Sequence, residues 1–371
     1  MRSAPDTRPA GPRLRPPAPV AVLPRGVLVL LGFACLVVVV AGLRWVAGLI
    51  GPVFLGLMLV VTVAPLTGRL RRRGLPVWLA AVLTVLVTYL ILAGLGTALA
   101  VSVARLIDLM PQYQAQFAAL RDDLVSGLGA LGVSAEQMHS AVAGATPDTV
   151  VRVIGSLFGG VAGLLSNTLF LVAVLLFMCL DAVDFPARLS TVVADRPQVV
   201  VALRSFARGT RRYLVVCTVF GLIVAVCDTL LLWWLGVPLP LLWGLLSFIT
   251  NYIPNIGFVV GVIPPALLGL LQGGPHLMLT VIALYCLINF VIQSVIQPKV
   301  VGDAVGLSAT VSFLALIFWA WVLGGLGALL AIPLTLLAKG LLVDIDPSTR
   351  WMNVLLTSSS TKDEAPGPDA P

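Results

Sequence analysis

The sequence predicts an all-α, polytopic transmembrane protein of about eight helical elements, with broken or re-entrant helices in its C-terminal half. Composition is the first reason, because 59% of the 371 residues are hydrophobic and only 11% are charged, whereas about a quarter of a soluble domain is charged. The second reason is the stretch between Asp228 and Lys299, which contains no Asp, Glu, Lys or Arg. A soluble domain would expose such a stretch as a large apolar patch. It is also far longer than the roughly 20 residues of one membrane crossing.

Apolar runs follow one another along the chain. The first two runs are 26–43 and 46–67, and an arginine cluster at 69–73 follows the second. After a third run at 75–104, the more polar segment 105–152 has apolar residues at helical spacing, which predicts amphipathic helices. The remaining runs are 153–180, 213–235, 238–272 with a break near Pro254, 275–297, and 304–338 with a break at Gly324–Gly325. The two broken runs are either pairs of short spans or re-entrant hairpins, and both alternatives cross the membrane an even number of times.

This order divides the chain into five parts. They are a disordered tail (1–25), N-terminal transmembrane segments (26–104), an extracytoplasmic amphipathic helical segment (105–152), a main transmembrane domain (153–342) with an Arg-rich loop (181–212), and a disordered tail (343–371). When the spans are counted, the arginine-rich regions fall on one side of the membrane. Because basic residues mark cytoplasmic loops, we expect both termini in the cytoplasm.

Several classes of function are disfavoured by what the sequence lacks. The net charge of +7 reflects cytoplasmic loops, so we expect no nucleic-acid partner. The five cysteines lie in apolar segments without a C-x-x-C pair, which is typical of buried thiols rather than of a metal site. No phosphate-loop or H-E-x-x-H motif occurs, and no nucleophile–base pair is visible. The chain is therefore predicted not to be an enzyme and to use neither a metal nor a cofactor.

Three amides form the clearest polar pattern in the charge-free stretch. Asn289, Gln293 and Gln297 are spaced by four residues, which places them on one face of a helix. Unsatisfied polar groups that face lipid cost several kcal/mol, so this face must meet other helices or water. Two interpretations follow: the amides hold helices together, or they line a path for a solute.

A second pattern surrounds the predicted break. Asn251 and Asn255 share a helical face, and Pro254 between them interrupts helical hydrogen bonding, with Gly257 close behind. Irregular backbone at membrane depth is tolerated where it lines a cavity or is buried in protein, and transporters use broken helices as binding sites. We favour a substrate path here over a simple hairpin turn.

Three charged residues are candidates for a gate or for coupling. Asp228 is the acid that lies well inside a predicted span, where a carboxyl group is a functional hypothesis, although an inert position near the outer interface is an alternative. Lys299 and Asp303 are four residues apart and could pair, either at the mouth of the path or as a weak surface pair in a cytoplasmic loop.

Three stretches carry a resemblance to a known family. They are 253–257 (IPNIG), 297–307 (QPKVVGDAVGL), and 318–327 (FWAWVLGGLG) followed by 331–335 (AIPLT). Together with the order of the spans, they resemble the autoinducer-2 exporter family of bacterial membrane proteins over roughly residues 26–342. The resemblance implies a multi-pass inner-membrane protein that moves a small solute, often as an exporter of a signalling molecule or by cation/proton exchange. Members often have Glu where this chain has Gln297, so a carboxylate role at that position does not carry over.

The predicted function is thus that of a membrane permease or secondary transporter of a small solute. Neutral amides suit a polar, hydroxylated or weakly charged solute, and Asp228 is the candidate for proton or cation coupling. The expected partners are the lipid bilayer, the solute, a coupling ion and further copies of the chain. A non-transporting membrane scaffold is the alternative, and a channel is a third.

Overall fold

A computed structural model of the protein describes residues 24–130, 168–253, 256–301, 307–345, 352 and 356. These residues form helices and short connections, without a strand among them, which confirms the predicted all-α class. The α-helices are α1 (Arg25–Trp45), α2 (Ala47–Arg72), α3 (Val77–Leu109), α4 (Gln114–Ala130), α5 (Thr168–Val192), α6 (Pro197–Trp234), α7 (Pro240–Thr250), α8 (Gly257–Asn289), α9 (Gln297–Val301), α10 (Ala309–Leu323), α11 (Gly325–Leu329) and α12 (Ala331–Lys339). A 3₁₀ turn, Met110–Tyr113, joins α3 to α4, and π-helical turns occupy Phe290–Ile296 and Gly340–Asp344.

The chain divides into two compact units, Met1–Trp45 and Val46–Pro371. Helix α1 is the described helix of the first unit, and the other helices belong to the second. By length and composition, four helical stretches among the described residues could cross a membrane: Ala47–Arg72, Val77–Leu120, Pro197–Trp234 and Gly257–Val300. Shorter apolar helices accompany them, as expected of a polytopic helical membrane protein. Most of the two predicted tails and all of 131–167 lie outside the described residues.

The Arg-rich region predicted as a loop at 181–212 is mostly helical. Helix α5 continues past Asp181 and Asp184 to Val192, and α6 begins at Pro197, so that residues 193–196 form the connection. The prediction of a loop was wrong because charged residues end an apolar run without ending a helix. A helix can continue beyond the apolar core, where its charged side chains reach water.

Three chain reversals shape the C-terminal half. Residues 251–256 join α7 to α8, and a Cβ placed at Gly261 would lie 3.5 Å from the Ser247 hydroxyl oxygen, so these helices fold back on each other. Within α8, Gly274 is non-helical (φ 70°, ψ −167°), and a Cβ at Gly269 would lie 3.5 Å from the Met278 nitrogen. Residues 257–273 and 275–289 are therefore antiparallel.

The third reversal is at Gly324 (φ 67°, ψ −146°), between α10 and α11. It brings Gly327 against the Trp319 carbonyl oxygen, so closely that a Cβ at Gly327 would overlap that oxygen. We call α7 with residues 257–273 the first hairpin, and α10 with α11–α12 the second hairpin. Both breaks were predicted from the sequence and are confirmed.

Short helices favour the re-entrant alternative for the first broken run. Helix α7 has 11 residues, which is about 16 Å at 1.5 Å per residue. The hydrocarbon core of a bilayer is about 30 Å thick, so α7 is too short to cross it. A main apolar core holds the first hairpin against α3 and α6, and Trp243, Tyr285 and Leu106 are fully buried in it.

Candidate functional site at the helix break

The connection between α7 and α8 is tied to α6 by three side-chain hydrogen bonds. The Tyr213 hydroxyl donates to the Tyr252 carbonyl oxygen (2.8 Å), and the Asn251 amide donates to the Cys217 carbonyl oxygen (3.0 Å). The Tyr252 and Thr218 hydroxyl oxygens lie 2.7 Å apart. These bonds satisfy polar groups that the break would otherwise leave unpaired at membrane depth, and they fix the break against one face of α6.

Two glycines allow this close approach. A Cβ added at Gly221 of α6 would lie 2.8 Å from the Asn251 side-chain nitrogen. A Cβ added at Gly257 would overlap the Thr250 carbonyl oxygen. The predicted role of Gly257 at the break therefore has a steric basis: the first turn of α8 passes too close to the end of α7 for any side chain.

The amides predicted on one stripe meet the amide at the break. Gln293 donates to the side-chain oxygen of Asn289 (2.7 Å) and to that of Asn251 (3.2 Å). Asn289 in turn donates to the Tyr285 carbonyl oxygen (2.9 Å). We call Asn251, Asn289 and Gln293 the amide ladder. It joins the first hairpin to the second half of α8 and its extension through residues 42 positions apart in the sequence.

Gln297 follows a π-helical segment that changes the helical turn between it and Asn289. The segment Phe290–Ile296 is π-helical, so its hydrogen bonds join residues five apart and a spacing of four no longer keeps side chains aligned. Within the described residues Gln297 makes no side-chain hydrogen bond, although it still lines the same cavity as Gln293. The sequence pattern did not predict this π-helix, and such segments are frequent at functional sites.

A cavity of about 230 Å³ opens beside the break. It is lined by Tyr213, Cys217, Asn251, Ile253, Gly257, Phe258, Gln293 and Gln297. Its volume lies just below the range of about 300–1,000 Å³ that is usual for ligand pockets. Its lining combines the amides of Asn251, Gln293 and Gln297 and the Tyr213 side chain with apolar residues, a mixture that is usual in ligand pockets.

Asp228 lies on α6, near Ser247 and Tyr285. Its side chain is fully buried, and among the described residues neither carboxyl oxygen has a hydrogen-bond partner. The Ser247 and Tyr285 hydroxyls are near enough to act on the carboxyl electrostatically, and Ser247 donates to Tyr285 (3.4 Å). The burial of this carboxyl is therefore weakly compensated, because attraction without hydrogen-bond geometry does not replace a hydrogen bond.

Tyr285 connects the acid to the amides. Its hydroxyl acts on Asp228, and its carbonyl oxygen accepts the hydrogen bond from Asn289. The intramembrane acid and the amide stripe are separate patterns in the sequence. In the structure Tyr285 connects them, through its hydroxyl on one side and its carbonyl oxygen on the other. An ionised carboxylate at this position would cost several kcal/mol without a counter-charge, so the position suits a group that binds a proton or a cation.

The remaining predicted residues stay outside this cluster. Pro254, Asn255 and Asp303 lie outside the described residues, so the predicted pair of Lys299 with Asp303 stays a prediction. Lys299 itself is exposed on α9. Within the described residues, no group of three His, Cys, Asp or Glu side chains is arranged to hold a metal ion.

Tyrosines are the functional candidates that the sequence patterns missed. Tyr285 lies four residues before Asn289, so extending the amide stripe by one turn would have found it. Tyr213 gave no such signal, because its partner Tyr252 is 39 residues away. Only the packing of α6 on the break brings them together.

Known proteins match this chain over most of its length. The AI-2E family transporter model matches residues 33–345. TqsA of Escherichia coli K12, named as an AI-2 transport protein, is 32% identical over 320 residues, which cover 85% of this chain and 91% of TqsA. YhhT of the same organism is 30% identical over 345 residues, which cover 92% of this chain and 97% of YhhT. The family is one of membrane transporters, not of enzymes, and the chain belongs to it: it is a member of the AI-2E transporter family.

Proposed function

We propose that this chain is a secondary permease whose solute path passes through the cavity at the helix break. The observation that carries the proposal is the amide ladder, because Gln293 donates to Asn251 and Asn289 at the wall of that cavity. Amides that bond to one another can exchange those bonds for bonds to a solute without leaving a polar group unpaired. A polar, hydroxylated or weakly charged small solute fits this chemistry.

The cavity's size and wall limit the solute further. At about 230 Å³ it suits a small molecule, and within the described residues no charged side chain lines it. A strongly charged solute would lose its hydration without gaining a counter-charge. AI-2, the solute in the name of TqsA, is therefore the first compound to test, with export as the first direction.

Asp228 is the residue that would couple solute transport to a proton or a cation. A fully buried carboxyl with no hydrogen-bond partner is stable when it holds a proton or a cation, and it becomes costly when that ion leaves. Tyr285 and Ser247 link this change to the ladder. An ion bound at Asp228 would thereby favour one packing of α6 against the first hairpin, and its release would favour another.

The proposed location is the bacterial inner membrane with both termini in the cytoplasm. The arginines at 69–73 and on the ends of α5 and α6 support this orientation through the positive-inside rule. Accessibility of single cysteines, introduced at Arg73 and at Arg204 in a cysteine-free background, tests it in intact cells. Labelling by a membrane-impermeant maleimide without lysis would contradict the orientation.

Flux in proteoliposomes tests the function itself. Uptake and efflux of AI-2 and of a panel of small polar solutes would be measured with and without a pH gradient. We expect saturable flux for the wild type and its loss in an Asn251→Ala/Gln293→Ala variant. The matched control is Gln272→Ala, because Gln272 is an exposed amide that donates to the Gly236 carbonyl oxygen away from the cavity.

Two other outcomes would redirect the proposal. Absence of flux for every solute, with a folded wild-type protein, would favour a membrane scaffold that organises partners through its Arg-rich side. Rapid flux without saturation would indicate a channel. Equal loss of flux in the Gln272→Ala control would contradict a solute path at the helix break.

A further inference from the structure

A second cavity lies far from the break along the chain, between α2 and α5. It has a volume of about 240 Å³ and is lined on one side by Val60, Ala64, Thr67, Gly68 and Arg71. These positions recur at intervals of four, three, one and three residues, which places them on one face of α2. Cys179, Ala182 and Val183 of α5 form the other wall. We call this cavity the arginine crevice.

The crevice is apolar along its length and basic at one end. Thr67 is the other polar side chain on its α2 wall, but its hydroxyl already donates to Thr84 (3.1 Å). Arg71 is exposed at the end of the crevice, beside the exposed Arg69, Arg72 and Arg73 of the same helix end. Within the described residues none of these four guanidinium groups forms an ion pair.

The nearby acids leave the helix end positively charged. Helix α5 carries Asp181 and Asp184 on either side of the crevice residues Ala182 and Val183, and both acids are exposed. Asp181 pairs with Arg188 at 3.4 Å. After this pairing, Asp184 is the remaining acid to set against four exposed arginines at the end of α2. The local net charge is therefore positive, which favours an anion.

Gly68 keeps the crevice open. A Cβ added there would meet no atom within 4 Å, although Gly68 lies inside α2 and lines the cavity. Glycine inside a helix costs about 0.5–1 kcal/mol relative to alanine, and no close approach of the backbone requires it here. Its missing side chain is what leaves room for a chain-like apolar group beside α2.

We propose that the arginine crevice binds an anionic phospholipid, with an acyl chain between α2 and α5 and the phosphate at Arg71. A guanidinium group pairs well with phosphate oxygens through two parallel hydrogen bonds. Basic pockets between transmembrane helices are a known mode of binding for lipid headgroups. The crevice has both parts that such a lipid requires, an apolar channel and an unpaired arginine at its mouth.

Lipid binding to the purified full-length chain tests the proposal. Phosphatidylglycerol and phosphatidylcholine with identical acyl chains would be titrated in detergent, and bound lipid would be counted by native mass spectrometry. Arg71→Gln should weaken phosphatidylglycerol binding about five-fold, as expected for one basic residue. Gly68→Leu should weaken it about fifteen-fold without changing the charge, because it displaces about two methylene groups of the acyl chain.

Two controls separate the site from general charge attraction. Arg204→Gln removes an exposed arginine of α6 that does not line the arginine crevice, and it should leave binding unchanged. Ala64→Leu fills the same crevice one turn earlier and repeats the Gly68→Leu test if that variant does not fold. Free glycerol phosphate should not displace the lipid.

Three results would overturn the proposal. Equal weakening by Arg204→Gln and Arg71→Gln would indicate a diffuse electrostatic effect. Undiminished binding in both filling variants would show that no acyl chain occupies the crevice. Displacement by free glycerol phosphate at concentrations near that of the lipid would assign the arginines to a soluble anion instead.

Discussion

The two C-terminal hairpins share one backbone arrangement and differ in the polar groups that lie beside them. Each joins short apolar helices through a tight reversal, and each has a glycine, Gly257 or Gly327, packed against a backbone carbonyl. A cavity lies beside the first hairpin, and Asn251 and Gln293 of the amide ladder line it. In the second, the described cross-hairpin side-chain bond is that of the Trp319 indole to the Thr335 hydroxyl (3.1 Å).

This difference indicates that a broken helix is not by itself a site. A reversal at membrane depth must satisfy its own backbone polar groups, and this requirement applies to both hairpins. At the first hairpin, Asn251 bonds to Gln293 of the amide ladder, and Asp228 of α6 lies close to Ser247 of α7. We therefore expect mutations to damage the stability of both hairpins alike and the transport function of the first alone.

The largest expected effect is the same in both hairpins. Gly257→Ala and Gly327→Ala each place a Cβ on a backbone oxygen, so the helices must separate, at a cost of about 1–3 kcal/mol or more. Thermal denaturation in detergent should show a large drop in stability for both variants. Gly94→Ala on α3 is the control, because nothing lies within 4 Å of its Cβ position, and it should be neutral or stabilising. An unaffected Gly257→Ala variant would contradict the packing described here.

Loss of pH dependence should follow removal of the buried acid. Asp228→Asn keeps the size of the side chain but removes the carboxyl, so pH-driven flux should fall at least about ten-fold, as for loss of a required proton carrier, while solute exchange at equal pH continues. The control is Asp344→Asn at the end of the second hairpin, where the carboxylate already pairs with Lys339 (3.2 Å). Asp344→Asn should leave the pH response intact. An unchanged pH response in Asp228→Asn would remove Asp228 from coupling.

Local patterns in the sequence predicted the parts of this site that lie on one helix. The spacing of Asn289 and Gln293 and the Pro-containing break were visible because helical periodicity and proline act locally. The clamp between Tyr213 and Tyr252 and the approach of Asp228 to Tyr285 could not be read in the same way, because they depend on how α6 packs against the first hairpin.

Helix ends and helix type were the other limits. Asp181 ended an apolar run, but helical hydrogen bonding continues in water, so α5 extends to Val192. The π-helix at Phe290–Ile296 changes the helical turn between Asn289 and Gln297, although Gln297 still lines the same cavity as Gln293. No propensity pattern distinguishes π from α turns in an apolar run, so the sequence could predict the spacing of these amides but not the π-helix between them.

An intermediate effect should separate the two hairpins by function. Gln293→Leu leaves the side-chain oxygens of Asn251 and Asn289 without their described donor, and Thr335→Val leaves the Trp319 N–H without its acceptor. Each variant should lose about 0.6–2 kcal/mol of stability, the range for interhelical hydrogen bonds in membranes. Gln293→Leu should also raise the KM for the solute by about ten-fold, as for an unpaired polar contact. Thr335→Val should leave KM unchanged; a matching rise there would show that KM reports stability rather than the path.

The smallest expected effect is at the edge of the first hairpin. The Thr218 hydroxyl donates to the Leu214 carbonyl oxygen (2.7 Å), so at the 2.7 Å contact with Tyr252 it is the tyrosine hydroxyl that donates. Thr218→Val removes that acceptor and keeps the shape of the side chain. Because Tyr213 still holds the Tyr252 carbonyl oxygen, the loss should be about 0.6 kcal/mol. A double-mutant cycle of Thr218→Val with Tyr252→Phe measures it in thermal denaturation.

A coupling energy near zero would mean that Tyr213 and Asn251 alone fix the break. A coupling above about 2 kcal/mol would instead make Thr218 a principal anchor of the first hairpin, for which the second hairpin has no described counterpart.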